Sequence, residues 1–124
     1  MIKLIQQLLK PLLAALCLSF FTNAFADESN TFDSTKWPET IEAATQTIIS
    51  LLPEKDRLLI KATKKEDLIL YHHGWGTGIR NSLGLWRGNQ KLLLSACGKP
   101  CHPDDASMKI IEAVWENLQN KVYQ

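Results

Sequence analysis

The chain is expected to fold as an all-α protein, a compact bundle of about five short helices that follows a cleaved signal peptide. Three observations predict this. From Ile41 onward apolar residues recur at steps of three and four, the spacing of one helix face. Helix-start and helix-stop residues punctuate that pattern at Thr40, Pro53, Gly84 and Asp104. No convincing strand pattern and no internal repeat interrupts it.

The first 26 residues read as a secretory leader. Lys3 and Lys10 form a basic n-region, Pro11 to Phe21 an apolar run, and Ala24-Phe25-Ala26 the small-residue pattern at which signal peptidase cuts. The apolar run is shorter than the roughly 20 residues of a membrane span, so cleavage is favoured over an uncleaved anchor. Cys17 follows Leu16 where a lipobox needs a small residue. The expected organisation is therefore a signal peptide over 1–26, a flexible polar leader over 27–36 and a helical domain over 37–122. Localisation is expected to be periplasmic or secreted, with no stable membrane anchor after cleavage. Lys3 and Lys10 leave with the leader while every acid stays, so 12 basic groups face 13 acidic ones. A net charge of −1 argues against a nucleic-acid partner, which calls for a basic excess.

Thr40 is a good N-cap, and Ile41, Ala44, Thr45, Ile48 and Leu52 mark the inner face of a first helix over about 41–52. Pro53 ends it and opens a short second helix, with Glu54 and Asp56 at the positive end and Leu58, Leu59 and Ala62 beyond. Thr63-x-x-Glu66 reads as a capping box for a third helix, whose face carries Leu68, His72, Trp75, Ile79 and Leu83. Gly74, Gly76 and Gly78 each cost a helix about 1 kcal/mol relative to Ala. This helix is thus expected to be interrupted or tightly packed, Gly74 and Gly78 forming a smooth groove for a neighbouring helix or tryptophan ring. Gly84-Leu85-Trp86 reads as a helix stop followed by an apolar plug, and Asn89 to Ala96 as a fourth helix with Leu92 and Leu93 inward. Asp104 reads as the N-cap of the last helix, Ser107 bonding back to it. Ile110, Ile111, Val114, Trp115 and Leu118 supply that helix with its buried stripe.

Trp37-Pro38-x-Thr40, Gly78-Ile79-Arg80-Asn81-x-x-Gly84-Leu85-Trp86 and His102-Pro103-Asp104-Asp105-x-Ser107, in that order, resemble a family of small, functionally uncharacterised bacterial helical domains. The resemblance spans about residues 37 to 120. It implies a compact helical domain and brings no established activity. His72-His73-Gly74-Trp75-Gly76-Thr77 departs from the family's usual mix of polar and apolar residues before the Arg-Asn pair.

The candidate sites are few. Without Cys17, Cys97 and Cys101 remain, and C-G-K-P-C closes a small loop. In an oxidising compartment this predicts a structural disulfide. A redox-active pair usually shows C-x-x-C, and zinc would find only His102 as a further nearby ligand. Arg80, Asn81, Trp86 and Arg87, with Asn89, gather guanidinium and amide groups that suit a carboxylate or phosphate. The competing reading is internal: Arg80 pairs with Asp104 or Asp105 and ties the third helix to the last, while Asn81 caps the third helix. His72 is expected in the core, hydrogen-bonded, and His73 at a surface open to solvent or a partner. Their side chains leave a helix about 100° apart, which disfavours shared metal ligation, and neither a metal nor a cofactor is expected. A Gly-x-Ser-x-Gly elbow is absent, and the glycine run lacks the strand and Lys-Ser/Thr of a phosphate loop. Four tryptophans, Trp37, Trp75, Trp86 and Trp115, suit a small core, and any exposed one is a candidate hot spot.

These features favour an exported, non-enzymatic interaction domain, an inhibitor or immunity-type factor, binding a protein partner through Arg80, Asn81, Trp86, Arg87 and His73. Cys97, Cys101, Asp104 and Asp105 are then structural. The alternatives are a small envelope hydrolase using His72, Arg80, Asp104 or Asp105, and a structural accessory subunit of an envelope complex.

Overall fold

The Thr40 hydroxyl accepts the Ala43 N–H at 3.1 Å and opens helix α1, Ile41–Leu51, satisfying a donor that the first helical turn leaves free. The computed structural model containing it describes residues 34–120. The expected signal peptide over 1–26, residues 27–33 of the expected leader and positions 121 and 122 lie outside the described residues. Ser34–Lys36 forms a short, exposed 3-10 turn. After Pro53 comes α2, Glu54–Ala62. A second 3-10 segment, Lys65–Tyr71, leads through a turn to α3, Trp75–Ser82. Helix α4 is Gln90–Cys97 and α5 is Pro103–Asn120. Among the described residues the fold is all-α.

The last helix is the axis of the bundle. It packs against α1, α2, α3, α4 and the Lys65–Tyr71 segment, and Ile110, Ile111, Val114 and Leu118 on it are fully buried. Burial of each such side chain contributes about 1.5–3 kcal/mol, which explains why one amphipathic stripe can organise five short neighbours. Ala44, Ile48, Leu52, Leu68, Trp75, Ile79, Leu83, Leu92 and Leu93 meet it from the other elements. Polar ties fix the register. The half-buried Trp115 donates its indole N–H to the Thr63 carbonyl at 2.8 Å, Gln119 donates to Lys61 O at 2.9 Å, and Ile41 N–H donates to Ser95 Oγ at 2.8 Å.

Several local expectations are corrected. The Thr63 hydroxyl does not open a third helix: it donates to Leu59 O and meets Tyr71 Oη, closing α2, so the Thr63–Glu66 capping box gives way to a 3-10 segment. Leu68, Trp75, Ile79 and Leu83 still point inward, but the path breaks at residues 72–74. Helix α5 begins one residue before the expected Asp104 cap, because His102 serves instead. Its Nδ1 accepts the Asp104 N–H at 3.2 Å and its carbonyl the Ala106 N–H at 3.1 Å. Pro103 then takes the first helical position, where no N–H is needed. A close approach in the glycine run is seen at Gly76, where a Cβ would stand 3.0 Å from Arg80 Nη1 and 3.7 Å from Ile111 Cδ1.

Candidate functional site

The corner after α3 is built on Gly84. Its φ of +68° is left-handed, and Leu85 N–H turns back to Arg80 O at 3.1 Å, the bond that closes a helix ending in glycine. Glycine is required a second time, since a Cβ there would lie 2.6 Å from three atoms of the Trp37 ring. The Trp37 indole therefore lies flat on a bare backbone.

The buried Asn89 locks the rest of the turn. Its amide donates to Leu83 O at 2.8 Å and Pro38 O at 3.0 Å, and its carbonyl oxygen accepts the Leu92 N–H at 3.3 Å, capping α4. These bonds make Asn89 scaffold and remove it from the surface cluster. Leu85 is buried, but Trp86 is 52% exposed, which corrects the apolar plug: the reversal at Gly84 sends only one of the two neighbours into the core. Arg87 donates to Asn81 O at 2.8 Å and holds its guanidinium 5.5 Å from the Trp37 ring centroid, a cation–π arrangement.

Across the corner, the Trp86 ring meets His102 edge to face, centroids 5.2 Å apart. His102 is placed by its capping bond to α5 and by Cys101, its neighbour, which is joined to Cys97 in a disulfide. Trp86, Arg87, His102 and the exposed Asn81 thus form one surface carried by three rigid ends: the stop of α3, the start of α5 and the bridged 97–101 loop.

Arg80 points the other way. It is buried, and each of its five N–H donors has a partner: Nε meets Asp104 Oδ1 at 3.2 Å. Nη1 reaches Ser107 Oγ at 2.9 Å and His72 O at 3.3 Å, and Nη2 reaches Thr77 Oγ1 at 2.9 Å and His72 O at 3.3 Å. Ser107 in turn donates to Asp104 O at 2.8 Å. The guanidinium is a cross-link between α3 and α5, so the structure does not bring it together with Trp86 and Arg87. His73 is exposed on the turn before α3, its ring against His72. The eight residues of α3 separate it from the corner by about 12 Å at 1.5 Å per residue. The His72 side chain is not hydrogen-bonded as expected: its Nδ1 is buried without a partner among the described residues, while its carbonyl serves Arg80.

The carboxylates named for hydrolysis have different surroundings. Asp104 faces Arg80, whereas Asp105 lines a groove of about 400 Å³ between the Lys65–Tyr71 segment and α5, with Lys65, Glu66, Leu68, Ile69, Met108, Lys109 and Glu112. Lys65 meets Glu112 at 2.7 Å and Glu116 at 3.5 Å there. The hydrogen bond from Lys65 holds the Glu112 carboxyl below its ordinary range against the opposing effect of burial. The same hydrogen bond raises Lys65 above the usual lysine value. Among the described residues, no three His, Cys, Asp or Glu side chains are placed to hold a metal ion.

Sequence reasoning reached Trp86 and Arg87, but beyond the family motifs it weighed His102 as a metal ligand and gave Trp37 no specific place beside Gly84 and Arg87. The hint for His102 was its place directly before Pro103-Asp104, where a side-chain acceptor is needed. In comparisons with known proteins, residues 37–118 match the profile of a family described as Domain of unknown function (DUF6794). No curated protein and no solved structure matches the chain.

Proposed function

The chain belongs to the DUF6794 family, whose function is unknown, and on that premise we propose that it is an exported, non-enzymatic interaction domain that docks a protein partner at the Trp86–Arg87–His102 corner. The observation that carries this reading is Trp86: a large aromatic ring left 52% exposed on a turn whose backbone is fixed by Gly84 and Asn89. Exposed aromatics on ordered turns lose little conformational entropy on binding, and tryptophan and arginine dominate interface hot spots. Arg87 beside it is exposed and already held by Asn81 O and the Trp37 ring, which leaves donors for a carboxylate of the partner. Arg80, Asp104 and the Cys97–Cys101 bridge support the surface from behind. Export to the periplasm or beyond suits the basic and apolar leader and an oxidised cysteine pair. Among the described residues, no helix is long and apolar enough to cross a membrane.

The test is affinity capture from an envelope extract with three baits: wild type, Trp86→Ala and Arg87→Ala. A protein retained by wild type and lost by both variants is the expected result. Equal retention by all three, with the variants folded, removes the corner from the function. Fractionation of cells should recover the chain from the envelope or the medium; recovery in the cytoplasm with an intact leader overturns the export half of the proposal.

A further inference from the structure

Resting on that reading, we infer that the corner is built for an acidic segment of polypeptide, a short stretch in which carboxylates flank an apolar side chain. The inference comes from how charge is divided along the chain. Between Asp67 and Asp104 there is no Asp or Glu, while Arg80, Arg87, Lys91 and Lys99 all fall within that stretch. A net charge near zero hides this asymmetry, because most acids lie elsewhere: Glu54 and Asp56 open α2, Glu66 and Asp67 occupy the 3-10 segment, and Asp105, Glu112 and Glu116 follow along α5; Asp104, whose Oδ2 stands 3.5 Å from His102 Nδ1, is engaged through Oδ1 by the buried Arg80.

Two of the four cations are neutralised internally. Arg80 pairs with Asp104, and Lys91 with Glu39 at 3.1 Å. Arg87 and Lys99 are exposed, and neither has a carboxylate within ion-pair distance among the described residues. Along the chain they bracket the two members of the aromatic contact: Arg87 follows Trp86 directly, and Lys99 lies in the Cys97–Cys101 loop that leads into His102. Each segment that carries a ring of the corner thus also carries an unneutralised cation. Complementarity assigns carboxylates to the partner opposite those cations and an apolar side chain opposite the ring. The disulfide restrains the loop that carries Lys99, lowering the ordering cost of binding. A nucleic acid or an anionic lipid surface calls instead for an extended basic stripe, and two free cations do not make one.

The experiment is a titration of the ¹⁵N-labelled protein, followed by NMR, with two probe peptides: one of alternating Asp, Glu and Leu, and its isostere with Asn and Gln. The acidic peptide should shift the amides of Trp86, Arg87, Lys99 and His102 and the Trp86 indole, and bind at least about tenfold tighter than the isostere. Its affinity should fall as salt shortens the screening length from about 10 Å at 0.1 M toward 3 Å at 1 M. Arg87→Ala/Lys99→Ala should abolish the preference for the acidic peptide while the amide spectrum away from the corner stays that of the folded wild type. Equal binding of the two peptides, or shifts confined to residues outside this corner, overturns the inference. The capture experiment separates the two failures. A partner lost in Trp86→Ala but held by Arg87→Ala/Lys99→Ala at high salt keeps the corner and discards the acidic ligand; no partner lost in Trp86→Ala discards both.

Discussion

Removing one member of the Arg80–Asp104 pair should cost more when the arginine is the member left behind. The two side chains differ in exposure, 7% for Arg80 and 41% for Asp104. In Asp104→Ala a deeply buried guanidinium loses the one carboxylate it meets among the described residues, the situation in which breaking a buried pair costs about 3 kcal/mol or more. A first-turn acid near the positive helix end is lost as well, adding about 0.3–1 kcal/mol. In Arg80→Met the aliphatic volume is kept and the stranded carboxylate is open to water. The His72 carbonyl loses both its donors, whereas Ser107 keeps its bond to Asp104 O. About 2 kcal/mol is expected there, from one under-satisfied acceptor and a partly resolvated acid. The double variant should lie close to Asp104→Ala alone, giving a coupling energy of about 2 kcal/mol. The helix-end contribution cancels in that cycle. Urea unfolding followed by tryptophan fluorescence reads all four species, provided the slope is common to them. If either single variant falls within about 0.5 kcal/mol of wild type, or the double variant equals the sum, Arg80 is not the cross-link described.

Gly84→Ala should destabilise by more than the roughly 1–2 kcal/mol of a left-handed alanine, because its Cβ must also displace the Trp37 ring. Gly88→Ala, with φ +98° but nothing within 4 Å, is the control, and equal melting points for the two would remove the Trp37 contact from the argument. Cys97→Ser/Cys101→Ser should lose at most about 2 kcal/mol, the loop-entropy value for so short a ring, and should loosen His102; unchanged amide exchange at Asp104 would contradict this. For Glu112 the carboxyl is depressed in the folded state, so its contribution is present above the ordinary carboxylate range and fades as pH falls through the folded value. Lys65 is raised, so its contribution is present at neutral pH and fades as pH rises through its folded value. The difference in midpoint between wild type and Glu112→Gln should thus be small, greatest near neutrality and shrinking at both extremes. A difference that grows on acidification would contradict the assignment.

Much of this fold is written in local signals. Thr40 caps α1, Pro53 separates two helices and the stripe from Ile110 to Leu118 finds the core, because each depends on neighbours within a turn or two. The errors fall where a distant residue decides. Thr63 and Glu66 satisfy the pattern of a capping box, yet the Thr63 hydroxyl is used by Leu59 and Tyr71. Gly84 reads as a helix stop, but that it must also admit Trp37 depends on a contact between distant parts of the chain. Arg80 and Arg87 fall in one cluster in the sequence, where a surface site and an internal pair of Arg80 with Asp104 or Asp105 are both open. Packing decides between them: Arg80 faces Asp104 across the bundle, and Arg87 faces solvent beside Trp86.

That division between a buried arginine that holds the fold and an exposed corner that meets a partner can be examined in living cells. A photo-reactive benzoylphenylalanine in place of the exposed Asn81 leaves Trp86 and Arg87 intact, and the same group in place of Leu70, 79% exposed on the 3-10 segment, serves as reference. Irradiation should yield a discrete adduct from position 81 that disappears with Trp86→Ala and is missing from position 70. The same adduct from both positions, or one at position 81 undiminished by Trp86→Ala, would contradict the account.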